Sequence, residues 1–192
     1  SANLQGEESS ATAFLGENQF RWLRQALNDS TATWKIIAAD MPIGMVVPDG
    51  DRFEAIANKD PGQPLGREME LARLLQAIRD DDIRNVVWFT ADVHYTAAHH
   101  YAPERAAFTD FDPFWEFVSG PLHAGAFGPN ELDPTFGPRA EFVRGPSRQG
   151  ASPLEGFQHF GELDVAPDGT TLEVHLRDQA GASLWTTTLR RT

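Results

Sequence analysis

The sequence predicts an α/β domain that ends in an antiparallel β-meander, and three observations support this class. Two helical patterns alternate with apolar, strand-like runs in the first half of the chain, as in layered α/β proteins. A long segment rich in Gly and Pro, residues 120–157, follows a further short strand pattern. The turn signals "PDG" and "QAG" then separate three alternating runs, which predicts a three-stranded meander.

The composition fits one folded domain and argues against several kinds of partner. The chain has 192 residues, of which 41% are hydrophobic, and this is enough to bury a core. A formal charge of -12 without a Lys/Arg cluster argues against nucleic acid and anionic membranes. The absence of cysteine excludes disulfides and thiolate metal sites and fits either redox compartment. No apolar run reaches the roughly 18 residues of a membrane span, and the polar N-terminus predicts no signal peptide.

The first elements are an amphipathic helix and a buried strand. Residues 1–13 are mostly small and polar and predict a flexible N-terminal segment, so the folded domain is expected to span residues 14–192. In "LGENQFRWLRQALNDS", Phe20, Leu23 and Leu27 form one stripe at helical spacing. The apolar run "TWKIIAAD" follows at once and predicts a buried strand that ends near an aspartate.

The same order is then repeated. The segment "MPIGMVVPDG" is a loop because its prolines and glycines interrupt any regular pattern, and residues 65–78 have the spacing of a second amphipathic helix. The runs "NVVWFTA" and "DPFWEFVSG" predict two more strands. Residues 120–157 show too little periodicity to predict elements, and such a long segment is more often functional or wrapped over a site.

Asp92 and His94 are the first candidates for chemistry, at the C-terminal end of the most hydrophobic strand. In an extended strand, residues at i and i+2 point to one side, so a carboxylate oxygen and an imidazole nitrogen could converge there. This pair suits a divalent or trivalent metal with mixed oxygen and nitrogen ligands, and open α/β sheets place their sites at such strand ends. Alternatively, Asp92 caps a turn and His94 is a satisfied buried histidine. Spacing alone leaves the metal site the minority interpretation, because the pattern is short and common.

Three further polar residues could join this pair. Asp40 stands at the equivalent end of the other central strand and could enlarge a cation site, although a turn cap is its simpler role. His99 and its neighbour His100 are expected in or after a returning strand, where at most one can face the pocket of His94. His123, in the Gly-rich segment, could reach over a site as a proton donor or phosphate contact.

Longer matching stretches add a resemblance to a known family. They are "FLGENQFRWLRQAL", "TWKIIAADMPIGMVVPDG", "VVWFTADVHYTAAHHY", "DFDPFWEFVSGPLHAGAFGP" and "ELDPTFGP". Together they resemble the C-terminal half of the PhoD-like alkaline phosphatases, of the calcineurin-like metallophosphatase superfamily, from about residue 14 to residue 190. The resemblance implies the C-terminal half of a two-sheet metallophosphatase sandwich flanked by helices. It also implies hydrolysis of phosphate mono- or diesters at a metal cluster.

The resemblance assigns expected roles to the candidate residues. The last motif of the superfamily would fall on residues 91–94, so Asp92 and His94 are expected metal ligands, with Asp40 as a weaker third. His123 and His99 become candidates for contacts with the substrate or with the ligands. Calcium and iron are the metals that the resemblance suggests, and the catalytic residues themselves stay unassigned.

The earlier motifs of the superfamily do not occur in this sequence. The resemblance therefore implies a fragment whose partner is the missing N-terminal half, whose metal site could stand unoccupied, and which is inactive alone. The parent would act on phosphate esters outside the cytoplasm, in the periplasm or after secretion. Two other interpretations stay open. One is a non-catalytic α/β module that binds a ligand or partner, and the other is a folding unit that covers its exposed sheet edge by self-association.

Overall fold

Both predicted amphipathic helices form in the computed structural model, which describes residues 2–192. Helix α1 spans Glu17–Asp29 and helix α2 spans Arg67–Asp80. A glycine with positive φ precedes each helix, and a Cβ on the second of them, Gly66, would lie 2.4 Å from the carbonyl oxygen of Asn3. Within the described residues, no helix is long and apolar enough to cross a membrane.

The described strands form three sheets. In chain order they are β1 (Lys35–Ala38), β2 (Pro48–Asp49), β3 (Arg52–Phe53), β4 (Val86–Thr90), β5 (Thr96–Tyr101), β6 (Phe114–Val118), β7 (Pro138–Arg144), β8 (His159–Val165), β9 (Thr171–Asp178) and β10 (Ser183–Arg190). The five-stranded sheet has the order β1-β4-β6-β5-β7, the three-stranded sheet has the order β10-β9-β8, and β2 pairs with β3. Strands β1, β4 and β6 are parallel, whereas β5 runs antiparallel to both of its neighbours.

The five-stranded sheet lies between the helices and the meander formed by β8, β9 and β10. Strand β4 shows why, because its side chains alternate between two apolar cores. Trp88 packs with Leu74 of α2 on the helix side. Val87 and its strand neighbour Phe89 pack with Leu172 of the meander on the other side. The predicted α/β class, the two packed sheets and the terminal meander are thus confirmed.

Strand β7 corrects the expectation for residues 120–157. This segment contains seven residues of regular strand, which pair antiparallel with β5. Its sequence, PRAEFVR, does not alternate strictly between apolar and polar residues, and such alternation would have predicted a strand. None of the β7 residues is buried in the structure. Backbone hydrogen bonding to β5, which local side-chain pattern does not encode, places this strand at the edge of the sheet.

The segment predicted to be flexible has ordered contacts over its described part, residues 2–13. Asn3 and Thr12 are buried. Just after the segment, the Glu70 carboxylate of α2 accepts the backbone N–H groups of residues 14, 15 and 16 at 2.7, 2.6 and 2.9 Å. Ser1 lies outside the described residues. The mobility of the segment and the boundary at residue 14 stay predictions.

Candidate metal centre

The parallel strands β1 and β4 end side by side, and this brings two of the predicted site residues to one edge of the sheet. Asp40 follows the last residue of β1 by two positions, and Asp92 follows the last residue of β4 by two positions. The backbone N–H of Ala91 donates to the carbonyl oxygen of Asp40 at 3.0 Å. The two loops that carry the carboxylates are therefore joined directly by their backbones.

The chain at Asp92 is not extended, which corrects the geometric argument from i and i+2 spacing. Asp92 has a φ of 59°, in the left-handed region, which Asp tolerates better than most residues. The N–H of Val93 donates to the carbonyl oxygen of Ala91 at 2.7 Å, so the backbone turns immediately after β4. Asp92 and His94 thus project from a tight turn between β4 and β5 and do not lie on one face of a strand.

His94 is held by two neighbours from the Gly-rich segment. Its Nδ1 atom lies 2.6 Å from the carbonyl oxygen of Gly125, and its ring stacks on Phe127 at a centroid distance of 4.7 Å. Because a carbonyl oxygen can only accept, Nδ1 carries the proton in this contact. In the neutral ring, Nε2 then keeps a free lone pair. Metal-binding histidines commonly have this arrangement, with the second nitrogen donating to a carbonyl or carboxylate.

The Asp92 carboxyl lies in an unfavourable environment for a negative charge. Partial burial raises its pKa, the nearby Asp40 carboxylate raises it further, and His94 opposes the shift. None of these contributions comes from a Lys or Arg side chain. Two carboxylates that repel each other without an intervening cationic side chain are a common feature of cation sites.

The ligand set is of a suitable type but incomplete. Carboxylate oxygens from Asp40 and Asp92 with an imidazole nitrogen from His94 suit oxygen-preferring or mixed-ligand metal ions. However, within residues 2–192 no group of three or more His, Cys, Asp or Glu side chains is arranged to hold a metal ion. Asp40 and His94 each act on the charge of Asp92, but the three side chains do not form such a group.

The other predicted histidines make no polar contact with Asp92 or His94 within the described residues. His99 is 1% exposed on β5 and its Nδ1 atom lies 3.2 Å from Oε2 of Glu116, while His123 is exposed in a loop. Within the part of the chain that the structure describes, no hydrogen bond or ion pair joins either residue to Asp92 or His94. Their proposed contacts with substrate or ligands stay predictions.

Sequence reasoning missed the residues that support the site. Gly125 and Phe127 hold the His94 ring from about thirty positions away, and local pattern cannot show such contacts. Glu116 in the apolar run of β6 was also missed, although a lone acidic residue between aromatic residues is a visible signal.

An apolar groove of about 590 Å³ runs along the outer strand of the sheet and reaches the candidate site. It lies between α1 and β1 and extends to Asp40. Strand β1 is the end strand of the five-stranded sheet, so one of its sides has no strand neighbour. Along this groove Trp22 is 65% exposed and Ile36 is 41% exposed. The groove is thus an uncovered apolar surface that adjoins the candidate site.

The fold and the site together define a class of protein. It is a layered α/β protein that carries acidic and histidine side chains just beyond the ends of its parallel strands. The description "PhoD-like phosphatase" belongs to a family model that matches residues 1–176, and the chain belongs to this family. The resemblance stated from the sequence is therefore confirmed.

One solved structure extends this result and sets its limit. The structure titled "Structure of PhoD" matches with a TM-score of 0.53 and 16% sequence identity, over 95% of this chain and 34% of that chain. At this identity the likeness shows the fold, and the chain spans about a third of the matched structure. A search among curated proteins finds no match.

Proposed function

We propose that this chain supplies the last metal-binding motif of a metal-dependent phosphate-ester hydrolase of the alkaline phosphatase or phosphodiesterase type. The observation that carries the proposal is the held ring of His94, whose Nδ1 donates to Gly125 at 2.6 Å and leaves Nε2 free. Asp92 in the adjoining turn and Asp40 on the neighbouring loop would supply the oxygen ligands. Family membership supports the reaction class.

The residues of the chain define what they could contribute to this chemistry. Together with ligands from the rest of a longer protein, the two carboxylates and the imidazole could help to hold calcium or iron, and such ions when bound polarise a phosphoryl oxygen and lower the pKa of water. Asp92 and Asp40 would also keep the edge of the sheet negative, which favours cation binding before an anionic phosphate can approach. Stacking on Phe127 would keep the His94 ring from turning its free nitrogen away.

The incomplete ligand set is the reason to propose a partner, the N-terminal remainder of a longer phosphatase. A strand from that remainder could pair with the open side of β1 and cover Ile36 and Trp22. If it ran parallel to β1, its C-terminal end would lie beside Asp40 and could bring further ligands there. The match to about a third of a longer structure supports this partner. The isolated chain would then be inactive, and family membership favours a location outside the cytoplasm.

The test uses the complete protein from the encoding gene, with p-nitrophenyl phosphate and bis(p-nitrophenyl) phosphate as substrates and calcium and iron supplied. We expect His94→Ala and Asp92→Asn each to lower kcat/KM at least about 100-fold, because each removes a metal ligand. His175→Ala is the matched control, since this histidine lies on the meander and contacts Thr186. Activity that survives both site substitutions, or a gene that encodes nothing beyond these 192 residues, would contradict the proposal.

A further inference from the structure

Glu116 is a carboxylate in the middle of the five-stranded sheet and is 0% exposed. Strand β6 places it between Trp115 and Phe117, and these two aromatic residues face the meander. Glu116 points to the opposite, helix-facing side, where Tyr101 contacts it. A carboxylate in such a place costs free energy unless hydrogen-bond donors surround it.

Four donors surround the carboxylate, and they divide between its two oxygens. Oε1 accepts the backbone N–H of Ile43 at 2.7 Å and the hydroxyl of Thr90 at 3.1 Å. Oε2 accepts the hydroxyl of Tyr101 at 2.6 Å and lies 3.2 Å from Nδ1 of His99. Oε1 is thus bound to the two segments that lead to the candidate site, and Oε2 to strand β5.

The Oε1 contacts are close in sequence to the two carboxylates of the site. Ile43 is three positions after Asp40, and Thr90 is two positions before Asp92. One oxygen atom therefore fixes the segments that carry both acids. This constraint adds to the backbone hydrogen bond between Ala91 and Asp40, and together the two hold the loops in place against the repulsion between like charges.

We infer that Glu116 is a positioning residue, which sets the separation of Asp40 and Asp92 through its Oε1 contacts with Ile43 and Thr90. The inference rests on the proposed function, because the separation of the two acids has a consequence only if they bind a metal ion together. The geometric basis of the inference is that one oxygen, Oε1, contacts both of the segments that carry the acids.

The decisive comparison is between Thr90→Val and Thr90→Ser. Valine keeps the branched shape and loses the hydroxyl, whereas serine keeps the hydroxyl and loses a methyl group. Both changes should cost stability, but only valine breaks the contact with Oε1. We expect Thr90→Val, and not Thr90→Ser, to shift the backbone amide NMR signals of Asp40, Met41 and Ile43, which lie on the other segment. Glu116→Gln should shift them further, because one amide oxygen cannot accept from all four donors.

A second measurement, Mn²⁺ affinity of the complete protein by calorimetry, connects the shifts to the site. Thr90→Val and Glu116→Gln should weaken binding by about 10- to 100-fold, with Thr90→Ser close to wild type. The inference is overturned if all three variants show the same signals at Asp40, Met41 and Ile43, or if their affinities agree. Should Glu116→Gln fail to fold, the Thr90 pair decides alone. The NMR shifts require neither metal nor activity, so a protein that shows them and yet does not hydrolyse phosphate esters refutes only the proposed function.

Discussion

Asp92, in the turn after β4, and Glu116, on the neighbouring strand β6, are two acids that lie in opposite environments. Glu116 is completely buried and has four hydrogen-bond donors, two on each oxygen. Partial burial raises the pKa of Asp92, and a second carboxylate, Asp40, raises it further. A buried acid that serves the fold is usually paired within it, whereas an acid beside another acid in a cleft is a candidate for binding a group from outside.

The largest expected effect is on the paired acid. Glu116→Ala should lower the free energy of unfolding by about 3–5 kcal/mol, because it leaves a cavity and four buried donors without their acceptor. Urea unfolding followed by tryptophan fluorescence measures the change. A loss below about 1 kcal/mol would show that the network is not a stabilising feature and would remove one side of the comparison.

Glu68 is a third acid, which is buried with hydrogen-bond donors like Glu116 and also lies near another acid like Asp92. It is 1% exposed and accepts hydrogen bonds from Asn58 and Leu65, yet it lies near Asp133. Burial above all, and then the charge of Asp133, raise the pKa of Glu68 to about 8 in spite of these donors. The two donors therefore do not offset the effects of burial and of the nearby acid on the pKa of Glu68.

This shift predicts a pH dependence of stability. The folded protein binds the Glu68 proton more tightly than the unfolded chain does, so the contribution of Glu68 to stability is greatest below its ordinary pKa of 4.5 and falls as pH rises towards about 8. The expected loss over this window is a few kcal/mol, by the linkage between pKa and stability. Urea unfolding at pH 5.5 and pH 8.5 measures it. In Glu68→Gln the difference between the two pH values should shrink, and an equal difference in both proteins would refute the assignment.

The sequence predicts the features that depend on local pattern, which are the helices and most of the strands. Periodic apolar residues such as Phe20, Leu23 and Leu27 predicted α1, and similar patterns predicted α2, β1, β4, β6 and the meander. Asp40 and Asp92 each follow a buried strand, and this was enough to predict that they lie near each other, because parallel strands end at the same edge of a sheet.

The unpredicted features depend on contacts between distant residues or on the backbone. Strand β7 forms through hydrogen bonds to β5 without an apolar pattern of its own. The left-handed turn at Asp92 changes the direction of a side chain that spacing alone places on an extended strand. The support of the His94 ring by Gly125 and Phe127 joins segments that only the folded chain brings together.

The smallest expected effect on stability is at Asp92, and it tests whether this acid, unlike Glu116, contributes little to the fold. Asp92→Asn removes a charge that Asp40 repels and keeps a residue type that tolerates a φ of 59°. We expect the free energy of unfolding without added metal to stay constant or to rise by up to about 1 kcal/mol. The matched control is Asp92→Ala, which removes the same charge but fits the left-handed turn less well and should therefore be less stable than Asp92→Asn. If Asp92→Asn instead lost several kcal/mol in the absence of metal, Asp92 would be part of the fold itself, and the contrast with Glu116 would no longer support its proposed role as a ligand.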